Sequence, residues 1–528
     1  MRIRTLCAAA VLISASTSRL ETAAEVTFSN PVIAGDYPDP SIMRVGDRYW
    51  ATATTSEWAP IFPLFTSRDL VNWTLQGAVF SQAPAWSQGS YWAPELSEYR
   101  GAFYVYYAAR NESHTLCVAV AKAERPGGPY HDYGPLVCQP HGSIDPMAAA
   151  DENGVRYLIW KEDGNSVHEP TPIWAQRLSE DGTKLVGERT ELIRNSAEWE
   201  GPLVEGPFIL RRGGYFYLFY SGGGCCGLKC NYKVGVARAE HLLGPWLKYS
   251  GNPIVSGNES WMCPGHGSIV EDAHHRDFFL YHSYNAKTSI FVGREAMLDE
   301  VNWNDDGWPS IDRGQGPSVS APSPFGRRQL EAQATIDDDL QGPDLRPGWQ
   351  WPWSDHPVVR FDSKDSHWMT LQADAAHEGE FVGAVLARDV PSGEYTATVA
   401  IDPQSLEAGV TAGLTAYGNR QNALGIGVGA KGLTVWRRQN GAMETTAEAD
   451  RPDAPVLYLR MNVRDGREFL FAYSSDGSSW HDLKEATATA TLPPWDLGVR
   501  AALTCCGGVH GASARFRSFH LTARRLSP

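Results

Sequence analysis

After residue 24 the chain of 528 residues contains no apolar run long enough to cross a bilayer, which excludes a helical membrane protein. Positive charge is also short. Against 61 Asp and Glu stand 46 Lys and Arg, a formal net charge of -15 that argues against non-specific binding to nucleic acid and fits a neutral ligand. Three catalytic signatures are missing: a His-Glu-x-x-His zinc helix, a glycine-rich phosphate cradle ahead of a helix, and a nucleophile elbow with Ser/His/Asp order. No helical run of any length interrupts residues 30–312. Cysteine is scarce at nine, and Cys7 falls in the leader, leaving Cys117, Cys138, Cys225, Cys226, Cys230, Cys263, Cys505 and Cys506. That even set fits export, but eight cysteines allow about 105 pairings. A zinc site at Cys225, Cys226 and Cys230 lacks a second paired set of ligands.

What is present describes a folded, exported protein. A hydrophobic fraction of 42% and an aromatic fraction of 11% are those of a globular chain, and its length gives two or three domains. The 19 Trp, 21 Tyr and 18 Phe exceed what packing needs, and aromatic faces suit sugar rings. Arg2 and Arg4 precede the apolar stretch from Leu6 to Ala15, so residues 1–24 read as a secretory leader and the protein as secreted or periplasmic. Asn72, Asn111 and Asn258 head glycosylation triplets, usable only in a eukaryotic host.

From about residue 30 to 312 one plan repeats. A Pro- or Gly-bearing motif leads into an apolar strand, a tight turn, and an aromatic strand such as Ala102-Phe103-Tyr104-Val105-Tyr106-Tyr107 or Tyr215 to Tyr220. The leading motifs lie near residues 39, 94, 145, 205 and 268, at intervals of 55, 51, 60 and 63. Such a period, with four strands per unit, predicts an all-β fold with a five-bladed β-propeller over 26–316. Cys117 and Cys138 flank the outer half of one blade and are the pair expected to join. Residues 317–345, rich in Pro, Gly, Gln and Asp, read as a linker. From 346 to 528 alternating strands return without the blade plan, which predicts a C-terminal β-sandwich of the concanavalin-like kind.

In a propeller the first strand of each blade lines the axis. The leading motifs therefore bring Asp39, Trp92, Asp145, Glu205 and His266 toward one pocket. Hydrolysis of a glycosidic bond needs one carboxylic acid to protonate the leaving oxygen and one carboxylate to activate water or attack the ring. A third acid nearby keeps the proton on the donor by like-charge repulsion. Glu200-Gly201-Pro202 duplicates Glu205-Gly206-Pro207, yet only Glu205 leads directly into a strand, Phe208-Ile209-Leu210. Trp92, Trp86 and Phe65 are candidate walls of the pocket, although core aromatics look identical in sequence. Gly222-Gly223-Gly224-Cys225-Cys226 follows the aromatic strand of the fourth blade and predicts a rim loop stiffened by a disulfide.

In order along the chain, Tyr37-Pro38-Asp39-Pro40-Ser41, Tyr91-Trp92-Ala93-Pro94-Glu95, Ile144-Asp145-Pro146, Val204-Glu205-Gly206-Pro207, Gly265-His266-Gly267-Ser268 and Gly293-Arg294-Glu295 resemble glycoside hydrolase family 43. The C-terminal part resembles the sandwich of its xylosidase and arabinofuranosidase members, at Trp349-Gln350-Trp351-Pro352 and Tyr473 to Trp480. The resemblance implies an inverting hydrolase of β-1,4-xylosyl or α-L-arabinofuranosyl linkages. Asp39 would be its general base, Glu205 its general acid, and Asp145 the residue that raises and orients the acid. Arg294 would steady the acids' charge, and inversion implies Asp39 and Glu205 carboxyls roughly 6.5–9.5 Å apart. His266 resembles a histidine that faces an axial calcium or its water shell; a core histidine, or one turned to Asp39, fits equally. No cofactor is otherwise required, and the expected partner is an oligosaccharide or polysaccharide, with neither nucleic acid nor membrane. Within the same chemistry an endo-arabinanase is the alternative. Outside it stand a non-catalytic carbohydrate-binding propeller and a retaining fructan-cleaving enzyme, whose carboxyls would lie roughly 5 Å apart.

Overall fold

The computed structural model describes residues 26–330, 335–361, 367–377, 380, 382–483, 486–487, 493–507 and 511–524. The leader expected over 1–24 lies outside them. Five four-stranded antiparallel sheets follow one another along the chain, as the repeat predicted. Their inner strands are Ser41–Val45, Trp92–Tyr99, Ser143–Ala150, Val204–Arg212 and Trp261–Glu271. Each packs on the next and the last on the first, closing a ring. The aromatic second strands fill the space between blades, where Tyr104, Tyr106, Tyr107, Trp160, Phe219 and Tyr281 are buried. Turns between first and second strands reverse through left-handed positions such as Gly46 and Gly101, which glycine reaches without a Cβ clash. The N-terminal strand Thr27–Ser29 pairs with Ser320–Pro322, and the Asn30 side-chain amide donates to the Leu298 carbonyl at 3.0 Å, so the two ends of the propeller close on each other.

One backbone feature repeats at the head of every inner strand. Asp39, Ala93, Asp145, Gly206 and His266 all have positive φ, at 51, 46, 55, 58 and 36°. Pro follows in four cases and Gly in the fifth. Just beyond, the ladder slips register in the second to fifth blades, as between Ile144 and Met147 or Glu205 and Phe208. A bulge with a left-handed residue re-aims side chains at a strand mouth. It also corrects the expected equivalence. Asp39 and Asp145 share one position with His266, whereas Glu205 and Trp92 stand one residue earlier and face another way.

The C-terminal unit is two antiparallel sheets, of nine and six strands, enclosing one large apolar core. Alternation is plain in Leu457–Arg464, where Leu457, Leu459, Met461 and Val463 point inward. The segment expected as a linker, 317–345, is partly woven into both units: Ser320–Pro322 joins the propeller, and Thr335–Asp338 pairs with Ser513–Arg524 of the sandwich. Its Pro and Gly content marked breaks between short strands rather than a free strap.

Cys117 and Cys138 are joined as expected. Cys225 bonds its neighbour Cys226, and Cys230 bonds Cys263. The remaining pair, Cys505 and Cys506, are buried thiols, so the even count does not mean complete pairing. Adjacent strand residues point to opposite faces of a sheet, which keeps these two sulfurs apart.

Propeller and sandwich meet around one buried cation. Arg500 pairs with Asp36 at 3.3 Å and Asp389 at 3.2 Å, donates to Gln350 Oε1 at 2.6 Å, and lies over the Trp58 ring at 4.3 Å. Beside it Trp351–Pro352 pairs with Trp58–Ala59. Removing one partner of a buried ion pair strands the other, at a cost of about 3–5 kcal/mol. Arg500→Met is therefore expected to give the sandwich its own, earlier calorimetric unfolding transition; a single transition at the wild-type temperature would refute this role for Arg500.

Candidate active site

Asp39 is held from four directions. Its Oδ1 accepts from Arg294 NH1 at 3.1 Å and its Oδ2 from Thr54 Oγ1 at 2.8 Å. The His266 Nδ1 lies 3.5 Å from Oδ1, and the Asp39 amide donates to His282 Nδ1 at 3.1 Å. Thr54 Oγ1 also accepts the Ala93 amide at 2.7 Å, which ties the first blade's carboxylate to the second blade's strand mouth. Burial alone would raise the Asp39 carboxyl. Arg294, and after it His266, overcome this and hold the group well below the usual carboxylate range. Burial lowers the His282 imidazole to about 4, so this ring stays neutral near pH 7.

Glu205 is held on both oxygens. Lys161 Nζ donates to Oε2 at 2.6 Å and Tyr232 OH to Oε1 at 2.7 Å. Asp145 accepts the Gly206 amide on Oδ2 at 2.9 Å, so through the backbone it orients the strand mouth that carries Glu205. His266 Nδ1 also reaches Asp145, at 3.9 Å. A Cβ on Gly206 would stand 2.8 Å from the His266 ring, which is why glycine separates Glu205 from Pro207. Burial pushes Asp145 up to about 6; His266 and Lys161 oppose the rise, and Glu205 and Asp39 add to it. Burial would raise Glu205 as well, but Lys161 and Tyr232 outweigh it and bring the carboxyl below its ordinary value. The expected order is thus reversed in this structure: Asp145 is the raised carboxyl, because the ammonium sits on Glu205.

Glu200 is committed elsewhere. Buried, it pairs with Lys248 at 2.6 Å, accepts from Tyr220 OH at 2.8 Å, and takes the Ser196 and Ala197 amides. The duplicate motif is a loop anchor. Arg294 sits where it was expected, bridging Asp39 and, through NH2, the Asp496 carbonyl at 3.3 Å.

Of the expected walls Trp92 comes nearest the acids in the chain, since the next residue, Ala93, is tied through Thr54 to Asp39; its own ring lines a cavity of about 500 Å³ with Trp495 and Asp496. Trp92 Nε1 donates to Ser56 Oγ at 3.0 Å, and its ring meets Trp495 edge-on at 6.2 Å. Phe65 packs into the first blade against Tyr37, on a separate cavity of about 510 Å³ that contains none of the three acids. Trp86 donates to Asp132 on the outer strand of the second blade and leans on Tyr107. Both serve packing: strand alternation turns Phe65 into the blade interior, and Trp86 sits in the turn ahead of the second blade's inner strand.

His266 faces carboxylates already engaged by Arg294, Thr54 and the Gly206 amide. Among the described residues no group of three or more His, Cys, Asp or Glu is placed to hold a metal ion. Calcium takes six to eight oxygens, a set these neighbours do not supply, and no step is assigned to it.

Several site residues carried no signal in the sequence. Trp495 and Asp496 come from the sandwich: Trp495 is 60% exposed beside Trp92, and Asp496 accepts from Ser56 Oγ at 2.8 Å. Lys161 ends an aromatic strand, where a lysine reads as solvated. The rim loop does carry its disulfide, Cys225–Cys226, and Cys230–Cys263 ties it to the fifth blade three residues before His266. Its Gly227 amide donates to Tyr284 OH at 3.3 Å.

Residues 28–309 match the model of glycosyl hydrolases family 43, and residues 337–522 match the beta xylosidase C-terminal concanavalin A-like domain. A xylan 1,3-beta-xylosidase of Vibrio sp is 25% identical over 88% of this chain and 92% of its own. A xylosidase/arabinosidase 43B of Humicola insolens is 27% identical over 83% of this chain and 82% of its own. Among solved structures, the GH43 BlXynB protein of Bacillus licheniformis superposes with a TM-score of 0.80 at 24% identity, covering 94% of this chain and 100% of that one, a likeness of fold.

Arg294→Met removes the cation on Asp39 and raises that carboxyl. Since the group must be ionised to act as a base, the acidic limb of the activity–pH profile should move upward by roughly 1–3 units. An acidic limb that stays in place would show that Asp39 does not set it.

Proposed function

The chain belongs to glycosyl hydrolases family 43, and we propose that it is a secreted, exo-acting, inverting enzyme for β-1,4-xylosyl or α-L-arabinofuranosyl ends of hemicellulose. That it is a glycoside hydrolase of xylan- or arabinose-containing material follows from the family and from relatives named xylosidase and arabinofuranosidase. The observation that carries the finer reading is the gathering of three buried acids from the inner strands of three blades, with Asp39 kept ionised by Arg294.

In this mechanism Asp39 takes a proton from water as its oxygen attacks the anomeric carbon. The glycosidic C–O bond breaks, and the proton of Glu205 passes to the leaving oxygen. Asp145 fixes the Glu205 strand mouth through the Gly206 amide and disfavours a second negative charge beside it. Trp92 and Trp495 offer ring faces and edges for sugar C–H groups. Exo action is supported by the sandwich segment Pro494 to Leu497, which stands at the edge of the site where an endo-arabinanase would need an open groove. Three disulfides fit an oxidising compartment, in keeping with export.

Product analysis by NMR on nitrophenyl β-xyloside, nitrophenyl α-arabinofuranoside and linear arabinan tests this reading. The first-formed sugar should have the anomeric configuration opposite to that of the substrate; retention on any of the three sinks the inverting mechanism. Glu205→Ala should spare nitrophenyl substrates, whose leaving group needs little protonation, far more than oligosaccharides. Oligosaccharide hydrolysis that survives Glu205→Ala but disappears in a Glu200→Ala variant of unchanged melting temperature would overturn the choice of acid.

A further inference from the structure

Among the described residues Lys161 is the one lysine with a fully buried side chain, 1% exposed. A buried ammonium is costly unless paired and hydrogen-bonded. It ends the second strand of the third blade, Arg156–Glu162, and reaches across to the fourth. Nζ donates to Glu205 Oε2 at 2.6 Å and to Asp163 Oδ1 at 2.9 Å, so it is shared between two carboxylates of unequal purpose. Asp163 opens a short turn at Gly164–Val167. Around Glu205, Lys161 and Tyr232 bond its two oxygens, Asp145 holds the next amide, His266 lies over Gly206, and His282 stacks on Tyr232.

Two hydrogen bonds leave part of the carboxylate's four lone-pair sites free, but the ammonium on Oε2 favours the ionised form over the protonated one that must serve a leaving oxygen. Tyr232 has no second partner of comparable charge. Lys161 does, because Asp163 waits 2.9 Å from the same nitrogen. We propose that Lys161 is a positioning residue for the reaction: it fixes the direction of the Glu205 carboxyl in the resting enzyme and swings its hydrogen bonding toward Asp163 when the leaving group of the substrate arrives. Withdrawal of the ammonium then lets Glu205 take up from solvent the proton that it passes to the leaving oxygen. The burial of Lys161 keeps water from screening this exchange. The inference rests on Glu205 being the general acid.

The test is the pH dependence of kcat/KM on a xylo-oligosaccharide, whose leaving group needs protonation, for Lys161→Met, Asp163→Asn and Glu205→Gln, each with its melting temperature. The basic limb reports loss of the proton from the acid. Without the ammonium, Lys161→Met should move that limb upward by roughly 1–3 units. Asp163→Asn removes a negative charge and the alternative partner of Lys161, so its limb should move downward and its kcat should fall more than its KM changes. A lysine that only braces the fold would lower the melting temperature and leave both limbs in place, which overturns the proposal. If Lys161→Met does not fold, an Asp163→Asn limb that stays or rises overturns it by itself. A basic limb that persists in Glu205→Gln sinks the assignment of the acid and this inference with it. Loss of the limb there, with unmoved limbs in the other two, sinks the inference alone.

Discussion

The structure depends on a backbone step taken five times. At the head of each inner strand one residue enters the left-handed region, and in four of the five it is followed by proline, which donates nothing to the ladder. For a residue with a Cβ this conformation is unfavourable, by roughly 1–3 kcal/mol each. Asp39, Ala93, Asp145 and His266 bear it, and the ring of packed blades over-determines it. Without the step the strands would run straight past the axis, and their first side chains would alternate between neighbouring blades. With it, two carboxylates and an imidazole turn inward at equal height. The fourth blade uses glycine at the same point, which frees the preceding residue, Glu205, to approach from a different angle.

Burial of so many acids makes counter-charge the second theme. Each of the two carboxylates given a chemical role has its own cation: Arg294 for Asp39 and Lys161 for Glu205. The cations differ in kind, and so does what they impose. A guanidinium stays charged and is held here by the Asp496 carbonyl, so it favours the ionised form of its partner. An ammonium on a flexible stem with a second carboxylate in reach can be reassigned. Asp145, which has no cation of its own, is the carboxyl that climbs to about 6, chiefly through burial.

Much of this was legible in the sequence, and the reasons are local. Pro and Gly beside an acid, ahead of an apolar run, mark a strand mouth, so Asp39, Asp145 and Glu205 could be found and the blades counted. The bulge escaped notice because an inserted residue leaves the hydrophobic run intact, and the repeat was therefore read one residue out of frame at Glu205. Phe65 was misplaced for a related reason: period-two alternation says that a residue is inside, not which interior it enters; Trp86 lies in a turn, where no period applies. Lys161 was invisible because a terminal lysine on a strand is ordinarily solvated, and only the neighbouring blade makes it otherwise. Trp495 and Asp496 lie more than 280 residues from Glu205 in a different unit, and no local pattern announces such a partnership.

Asp36 gives the sandwich a meaning that a lid does not convey. This one carboxylate accepts the Arg294 amide at 3.2 Å, the Gly498 amide at 2.9 Å and the Arg500 guanidinium at 3.3 Å. Arg294 in turn grips Asp39, three residues downstream of Asp36. The C-terminal unit is thus part of the mounting of Asp39, continuous with it through a single side chain. In evolutionary terms the two units are one heritable object. Recombination that exchanged the sandwich for another of the same shape would have to bring the stretch from Asp496 to Arg500 along, or leave Asp39 without its brace.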